Sequence, residues 1–170
     1  MNANKNYFIL IVMLIALVQC KSHERILTKS EVVSFPYTPT LVIDSGMSEH
    51  QYEGNCSNEL LRVEITNKVK SIPQWAFAIV SSLEEVRLNS SVKTIDNNAF
   101  FSCKKLSRIN LEHVEVVGEN CFKFSNLEDI SLIGAHEIKE FAFSNCLKLK
   151  KIKFSDRLKT IGEFAFSEDS

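Results

Sequence analysis

The residues IDNNAFFSCKKLSRINL, numbers 95–111, contain a pattern that repeats along the chain. Its first half places Ala99 beside Phe100, and its second half ends in apolar residues with the order L-x-x-I-x-L. The first half recurs in units that begin at Val69, Val92, Val114, Ala135 and Leu158. These starts are 23, 22, 21 and 23 residues apart, a period that is typical of solenoid repeats.

The second half of the pattern also recurs, with an additional copy before the first full unit. Its apolar residues are Leu60, Val63 and Ile65; Leu83, Val86 and Leu88; Leu106, Ile109 and Leu111; Leu127, Ile130 and Leu132; and Leu149, Ile152 and Phe154. The alternation of Val86 with Leu88 has a period of two, which predicts a short strand with alternate residues pointing inward. Successive strands should therefore form a parallel sheet.

The excess of phenylalanine has a positional explanation in these repeats. One unit of about 22 residues cannot bury its apolar face alone, whereas stacked units share a continuous core. The second residue of each small-residue–Phe pair should then stack on its neighbours as a spine. The members of this predicted spine are Phe77, Phe100, Phe122, Phe143 and Phe166. The sequence predicts a repeat solenoid, α/β to mostly β, in a single domain.

Over about residues 55–166 the motif A-F-x-x-C-x-x-L-x-x-I-x-L resembles the BspA-type, or Treponema pallidum-type, leucine-rich repeat. The resemblance implies a curved solenoid on surface or secreted proteins of bacteria and protists that bind ligands, often as adhesins. The sequence departs from the motif at Val80 and Ser125, which occupy the cysteine position, and at Cys121, which replaces alanine. One residue is also missing before Leu127. These departures predict irregularity in the third coil.

Residues 1–20 are predicted to be a cleaved secretory signal peptide. Lys5 precedes an apolar run over residues 7–18, which is shorter than the roughly 20 residues that a membrane span needs. An uncleaved anchor and lipidation at Cys20 are the alternatives. Residues 21–54 are interpreted as a non-repeat N-terminal cap with one or two edge strands in residues 30–43. Residues 55–170 hold about five coils, the last incomplete.

The composition and motifs argue against several functions. The 20 basic and 21 acidic residues leave a net charge of −1, so no nucleic-acid partner is expected. The chain contains no G-x-S-x-G, phosphate-binding glycine loop, H-E-x-x-H or C-x-x-C motif. We therefore expect no catalytic residues, cofactor or metal, and no membrane span in the mature chain if the signal is cleaved.

Because secretion is predicted, the cysteines are considered for disulfides and the N-x-[ST] sequences for glycan attachment. Cys103 and Cys146 hold the same repeat position two coils apart, about 10 Å at the usual strand spacing, which is too far for a disulfide. Both are therefore predicted to be free, buried thiols. Asn55 and Asn89 begin N-x-[ST] sequences and are candidate glycan acceptors, with Asn89 the better one because it follows the inward Leu88.

Outward residues of the predicted sheet are the candidate binding surface. The first column is Arg62, Glu85, Arg108, Asp129 and Lys151, and the second is Glu64, Arg87, Asn110, Ser131 and Lys153. Alternating signs suit a self-neutralising ladder that only keeps the sheet soluble. The functional hypothesis is a recognition surface for a protein or glycan ligand. Its candidate residues are Arg87, Arg108, Asn110, Asp129, Ser131, Lys151 and Lys153.

These features favour a secreted or cell-surface protein that mediates binding or adhesion and is not an enzyme. The alternatives are an accessory binding domain of a secreted enzyme and a structural component of a surface coat. Lys151 and Lys153 share one strand and face only Asp129 as an acidic neighbour. That imbalance predicts an acidic protein segment or a sulfated glycan as the ligand.

Overall fold

A computed structural model describes the backbone of residues 30–35 and 38–43, and residues 60–66 and 68–167 in full. Within these ranges the chain forms a β-solenoid of short strands without a helix, as the repeat predicts. The strands are β1 (Ser30–Phe35), β2 (Thr38–Ile43), β3 (Arg62–Ile65), β4 (Ser71–Ile72), β5 (Glu85–Arg87), β6 (Thr94–Ile95), β7 (Arg108–Ile109), β8 (Val116–Val117), β9 (Asp129–Leu132), β10 (Glu137–Ile138), β11 (Lys151–Phe154) and β12 (Thr160–Ile161).

The strands line two sides of the solenoid. The L-x-x-I-x-L halves form the front sheet, in which β2, β3, β5 and β7 pair in parallel and β9 pairs in parallel with β11. The Val-x-x-Ile halves form a second parallel sheet, the back sheet, in the order β4, β6, β8, β10, β12. The sequence predicted only the front strands, because two-residue strands are too short to show a period of two.

The predicted phenylalanine spine is confirmed, and we call it the inner ladder. Neighbouring rings lie nearly parallel, with centroids 5.2 Å apart for Phe77 and Phe100 and 5.4 Å apart for Phe100 and Phe122. The stack continues through Phe143 to Phe166 at 5.1 and 5.2 Å. The first four rings are fully or almost fully buried. Since each of the three middle rings stacks on a ring from either neighbouring coil, one continuous core holds the array together.

The turn that contains each Ala-Phe pair joins successive coils through its backbone. The N–H of Phe77 donates to the carbonyl of Ala99 at 2.8 Å, and the N–H of Phe122 donates to that of Ala142 at 2.7 Å. Two residues in most of these turns have positive φ angles, as Asn98 and Ser102 do at 59° and 58°. The two left-handed residues lie four positions apart, and alternate N–H groups, such as those of Trp75, Phe77 and Ile79, point toward the next coil.

The front sheet is interrupted in the third coil, where the sequence predicted irregularity. Within the described residues β9 pairs with β11 and not with β7. In the second coil, the N–H of Ser107 donates to the carbonyl of Glu84 at 3.1 Å, whereas in the third coil Asn126 donates to Leu106 instead. The missing residue before Leu127 displaces the register, so the expectation of one continuous sheet is wrong at this point.

The N-terminal strands extend the front sheet. Strand β2 pairs in parallel with β3, and β1 pairs antiparallel with β2 at the edge. Two strands therefore lie in the stretch for which one or two edge strands were predicted. The predicted signal peptide, Asn55 and the remainder of the predicted cap lie outside the described residues.

Candidate binding surface

Three strands bring the first outward column of the front sheet together. The parallel register places Glu85 beside Arg62 on one side and beside Arg108 on the other. Glu85 is only 8% exposed although it points away from the core, because the arginine side chains cover it. The carboxylate is therefore the centre of this part of the surface.

Glu85 forms ion pairs with three arginines. Its oxygens lie 2.9 Å from Arg87 Nε, 3.2 Å from Arg62 Nε and 3.4 Å from Arg108 Nη2. Burial alone raises the pKa of Glu85, but the hydrogen bond from Arg87 and the three positive charges outweigh burial and hold that pKa below its ordinary value. The predicted self-neutralising ladder is thus confirmed for β3, β5 and β7, with Arg87 as an additional member from the second column.

Strands β9 and β11 carry a different arrangement of charge. Asp129 is in register with Lys151, and Ser131 is in register with Lys153, as the columns predicted. Both lysines are exposed. Across residues 60–66 and 68–167, neither lysine is within ion-pair distance of a carboxylate, and Asp129 also has no ion pair. Positive charge on β11 is therefore directed to solvent.

An open recess of about 540 Å³ lies on the front face where the sheet is interrupted. Four of the seven predicted binding residues line it together with two further carboxylates. The charged and polar lining residues are Glu85, Arg87, Arg108, Asn110, Glu112 and Asp129. Ser131, Lys151 and Lys153 lie beyond it on the β9–β11 pair. The recess borders the displaced third coil at Asp129, and the sequence did not predict it.

Asn110 has a structural role at this recess. Its side-chain oxygen accepts a hydrogen bond from the N–H of Leu88 at 2.7 Å, and its amide nitrogen donates to the carbonyl of Leu88 at 2.8 Å. The side chain thereby continues the β5–β7 hydrogen bonds one residue further. Its polar atoms are already engaged, so Asn110 is less available to a ligand than Arg87 or Arg108.

The remaining candidate residues have local partners. Asn89 is half-buried, and its side-chain oxygen accepts a hydrogen bond from the N–H of Ser91 at 3.2 Å. Cys103, Cys121 and Cys146 are free and buried, as was predicted for the first and third. Burial raises the pKa of Cys103 to about 12, and its thiol donates to the carbonyl of Phe77. These thiols behave as core side chains.

Sequence reasoning omitted Glu85 and Glu112 from the candidate set. The signal for Glu85 was available, because arginines flank it in register and one more lies two residues further along the same strand. In the described part of the chain, no cluster of three His, Cys, Asp or Glu side chains could hold a metal ion. No helix in that part is long and apolar enough to cross a membrane.

Comparisons with known proteins agree with this architecture. The family model for the BspA type leucine rich repeat region matches residues 48–170 in 6 copies. The crystal structure of a leucine-rich repeat protein from Bacteroides ovatus has a similar fold, with a TM-score of 0.60 and 20% sequence identity. The similarity covers 83% of this chain and 44% of the other, so the chain spans less than half the length of that protein. No curated protein matches the chain.

Proposed function

Because the chain belongs to the BspA-type leucine-rich repeat family, we propose that it is a non-catalytic, secreted or cell-surface protein that binds an anionic partner on its front sheet. The family match confirms the resemblance that the sequence motif indicated. Proteins of this family are generally surface or adhesion-type repeat proteins. The ligand chemistry is an acidic protein segment or a sulfated glycan.

The observation that carries this proposal is the difference in charge pairing along one face. Glu85 neutralises arginines in β3, β5 and β7, whereas Lys151 and Lys153 have no ion pair among the described residues. Unpaired lysines on a rigid strand attract anions without first breaking an internal ion pair. Since parallel strands fix the direction of both side chains, they present two positive charges two residues apart.

The recess extends this surface toward the N-terminal coils. Arg87 and Arg108 remain largely exposed although they contact Glu85, so part of each guanidinium is available to a ligand. Arginine binds carboxylate and sulfate groups through several donors at once. The recess also holds Glu85, Glu112 and Asp129, so the β11 lysines are the main contact for an anionic chain and these two arginines are secondary contacts.

The test measures binding of the mature protein to immobilised heparin and to immobilised polyglutamate. Lys151→Glu with Lys153→Glu should reduce affinity at least tenfold for whichever probe binds, because both attractive charges become repulsive. Folding should be nearly unchanged, since exposed charges contribute little to stability. Both lysines of the matched control, Lys70→Glu with Lys104→Glu, are exposed and lie off the front face.

The control changes net charge by the same amount and should lose much less affinity. A wild-type protein that binds neither probe contradicts the proposal. Equal loss in both double variants also contradicts it, since binding would then depend on overall charge rather than on β11.

A further inference from the structure

A second row of aromatic side chains lies outside the inner ladder, on the outer side of the Ala-Phe turns. Its members are Trp75, Phe101, Phe124, Phe141 and Phe164, and we call them the outer ladder. Centroid distances are 6.0 Å from Trp75 to Phe101, 5.9 Å from Phe101 to Phe124 and 5.3 Å from Phe141 to Phe164. Between Phe124 and Phe141 lies Lys123 Nζ, 5.4 Å from the Phe124 centroid and 4.8 Å from the Phe141 centroid. The row therefore spans five successive coils.

The outer ladder is accessible to solvent, in contrast to the inner ladder. Phe124 is 40% exposed and Phe164 is 59% exposed, and the other three members are half-buried. A row of aromatic rings that all reach the surface, two of them exposed and three half-buried, is unusual on a protein and is typical of a binding site. Each ring packs against a neighbour on one side and is open to solvent on another.

The fold does not require aromatic residues at these positions. Trp75, Phe141 and Phe164 adopt positive φ angles of 61°, 55° and 56°, which are sterically costly for bulky side chains. The equivalent position in the second and third coils is Asn98 and Asn120, at 59° and 50°. Asparagine tolerates this conformation better. The aromatic residues at this position thus combine a strained backbone with exposed apolar surface, although two other coils have asparagine there.

Phe124 is likewise a bulky apolar residue, at the other left-handed position of the turn. Its φ angle is 66°, and the equivalent residues of neighbouring coils are Ser102 and Asn145, at 58° each. Polar side chains are therefore compatible with this position as well. Phe124 therefore carries two costs that Ser102 and Asn145 avoid at the equivalent position.

Carboxylates flank the outer ladder and restrict its ligand. Glu119, Glu140 and Glu163 occupy equivalent positions immediately before the first left-handed residue of each turn. Their backbones are joined to the ladder positions, since Phe141 donates its N–H to the carbonyl of Glu163 at 3.0 Å. Glu140 and Glu163 are exposed. These carboxylates disfavour anionic polymers and anionic membranes despite the single cation of the row, Lys123, whose Nζ lies between two rings. Carboxylates also accept hydrogen bonds from hydroxyl groups.

We propose that the outer ladder is a second binding surface, whose ligand is a neutral polysaccharide. Pyranose rings present C–H faces that pack on aromatic rings, and their hydroxyls match the flanking carboxylates and the side chain of Asn98. An extended glycan can contact one ring after another along successive coils. Lys123 keeps Phe124 and Phe141 in place through its contacts with both rings. This surface is separate from the β11 lysines, and its proposed ligand is neutral rather than anionic.

Affinity electrophoresis of the mature protein in native gels tests the proposal. The gels contain hydroxyethylcellulose, mannan or dextran, with heparin as a separate arm. At least one neutral polysaccharide should retard the wild type, and Phe124→Asn with Phe141→Asn should weaken that retardation at least tenfold. Both asparagines reproduce residues that the chain already carries at equivalent left-handed positions, Asn145 for Phe124 and Asn120 for Phe141.

Ile79→Asn is the matched control, because Ile79 is a left-handed, 58% exposed residue outside the outer ladder. It should leave retardation unchanged. Phe164→Asn removes a single ring and should weaken retardation partially, which keeps the test valid if the double variant unfolds. A wild type that no neutral gel retards overturns the proposal, as does equal retardation of the folded ladder variants. Failure of the anionic-partner proposal appears only in the heparin arm.

Discussion

The two halves of the front sheet occupy equivalent positions in the repeat and differ in how their charges are arranged. In the N-terminal half, Glu85 lies among three arginines and is nearly buried by them. In the C-terminal half, Asp129 is in register with Lys151 but forms no ion pair within the described residues. The repeat therefore fixes where side chains point, while residue identity decides whether the charges are neutralised.

The interruption between β7 and β9 separates these halves physically. Across it, Arg108 and Asp129 are not strand neighbours, although the sequence columns place them together. Glutamate reaches one methylene further than aspartate, and arginine offers more donors than lysine, so the N-terminal half can close its ion pairs more easily. The interruption before Leu127 therefore separates two parts of one face, and the identity of the charged residues decides how each part is neutralised.

The largest expected effect tests whether both halves share one core. Phe100→Ala removes a fully buried ring from the middle of the inner ladder and should lower the free energy of unfolding by about 3 to 5 kcal/mol. Because each ring contacts both neighbouring coils, both halves should melt together at the lower temperature. Thermal unfolding monitored by circular dichroism measures the change. An unaltered melting temperature contradicts the stacked spine.

A smaller effect is expected from repairing the sheet. One lysine inserted between Asn126 and Leu127 restores the two-residue spacing that Lys104 and Lys105 provide in the second coil. Strand β7 should then pair with β9, and each recovered backbone hydrogen bond should contribute about 1 kcal/mol. Amide hydrogen exchange in residues 108–110 and 128–131 should slow. Unchanged exchange would mean that the missing residue is not the cause of the interruption.

The smallest effect concerns the Glu85 ion pairs. Since the pKa of Glu85 in the folded protein lies below its ordinary value of 4.5, its contribution to stability is present above that pH and is lost as the pH falls through the lowered pKa. Glu85→Gln should lower the free energy of unfolding at pH 7 by less than about 1 kcal/mol, because the arginines are exposed to water.

The difference in melting temperature between the wild type and this variant should shrink below pH 4.5. Glu84→Gln is the control, because Glu84 is an exposed neighbour with no ion pair among the described residues. A difference that is constant down to pH 2 is the result that rules out the ion pairs as its source.

Most of the fold could be predicted because the sequence repeats. The Ala-Phe pairs predicted the inner ladder, and the alternation of Val86 and Leu88 predicted a front strand whose side chains alternate as observed. The back sheet was missed because Thr94–Ile95 and the equivalent strands contain only two residues. Periodicity requires a longer segment before it separates a strand from a turn.

The candidate site could be predicted only as columns of outward residues. Register placed Glu85 between Arg62 and Arg108, but the contact from Arg87 depends on a side-chain conformation that spacing does not determine. The recess depends on the displaced third coil, and the engagement of Asn110 depends on where the β5–β7 pairing ends. The recess lies beside a departure from the repeat, whereas the contacts of Arg87 and Asn110 depend on side-chain conformations that the repeat does not determine.

The most direct test of the difference between the halves is a hydrogen-exchange footprint of the wild-type protein with and without heparin. Binding at the unpaired lysines should slow exchange in residues 129–132 and 150–154 and leave residues 62–65 unchanged. Those N-terminal residues carry Arg62, which is already paired with Glu85. Protection confined to residues 62–65 and 85–88, or spread equally over both halves, would contradict the account.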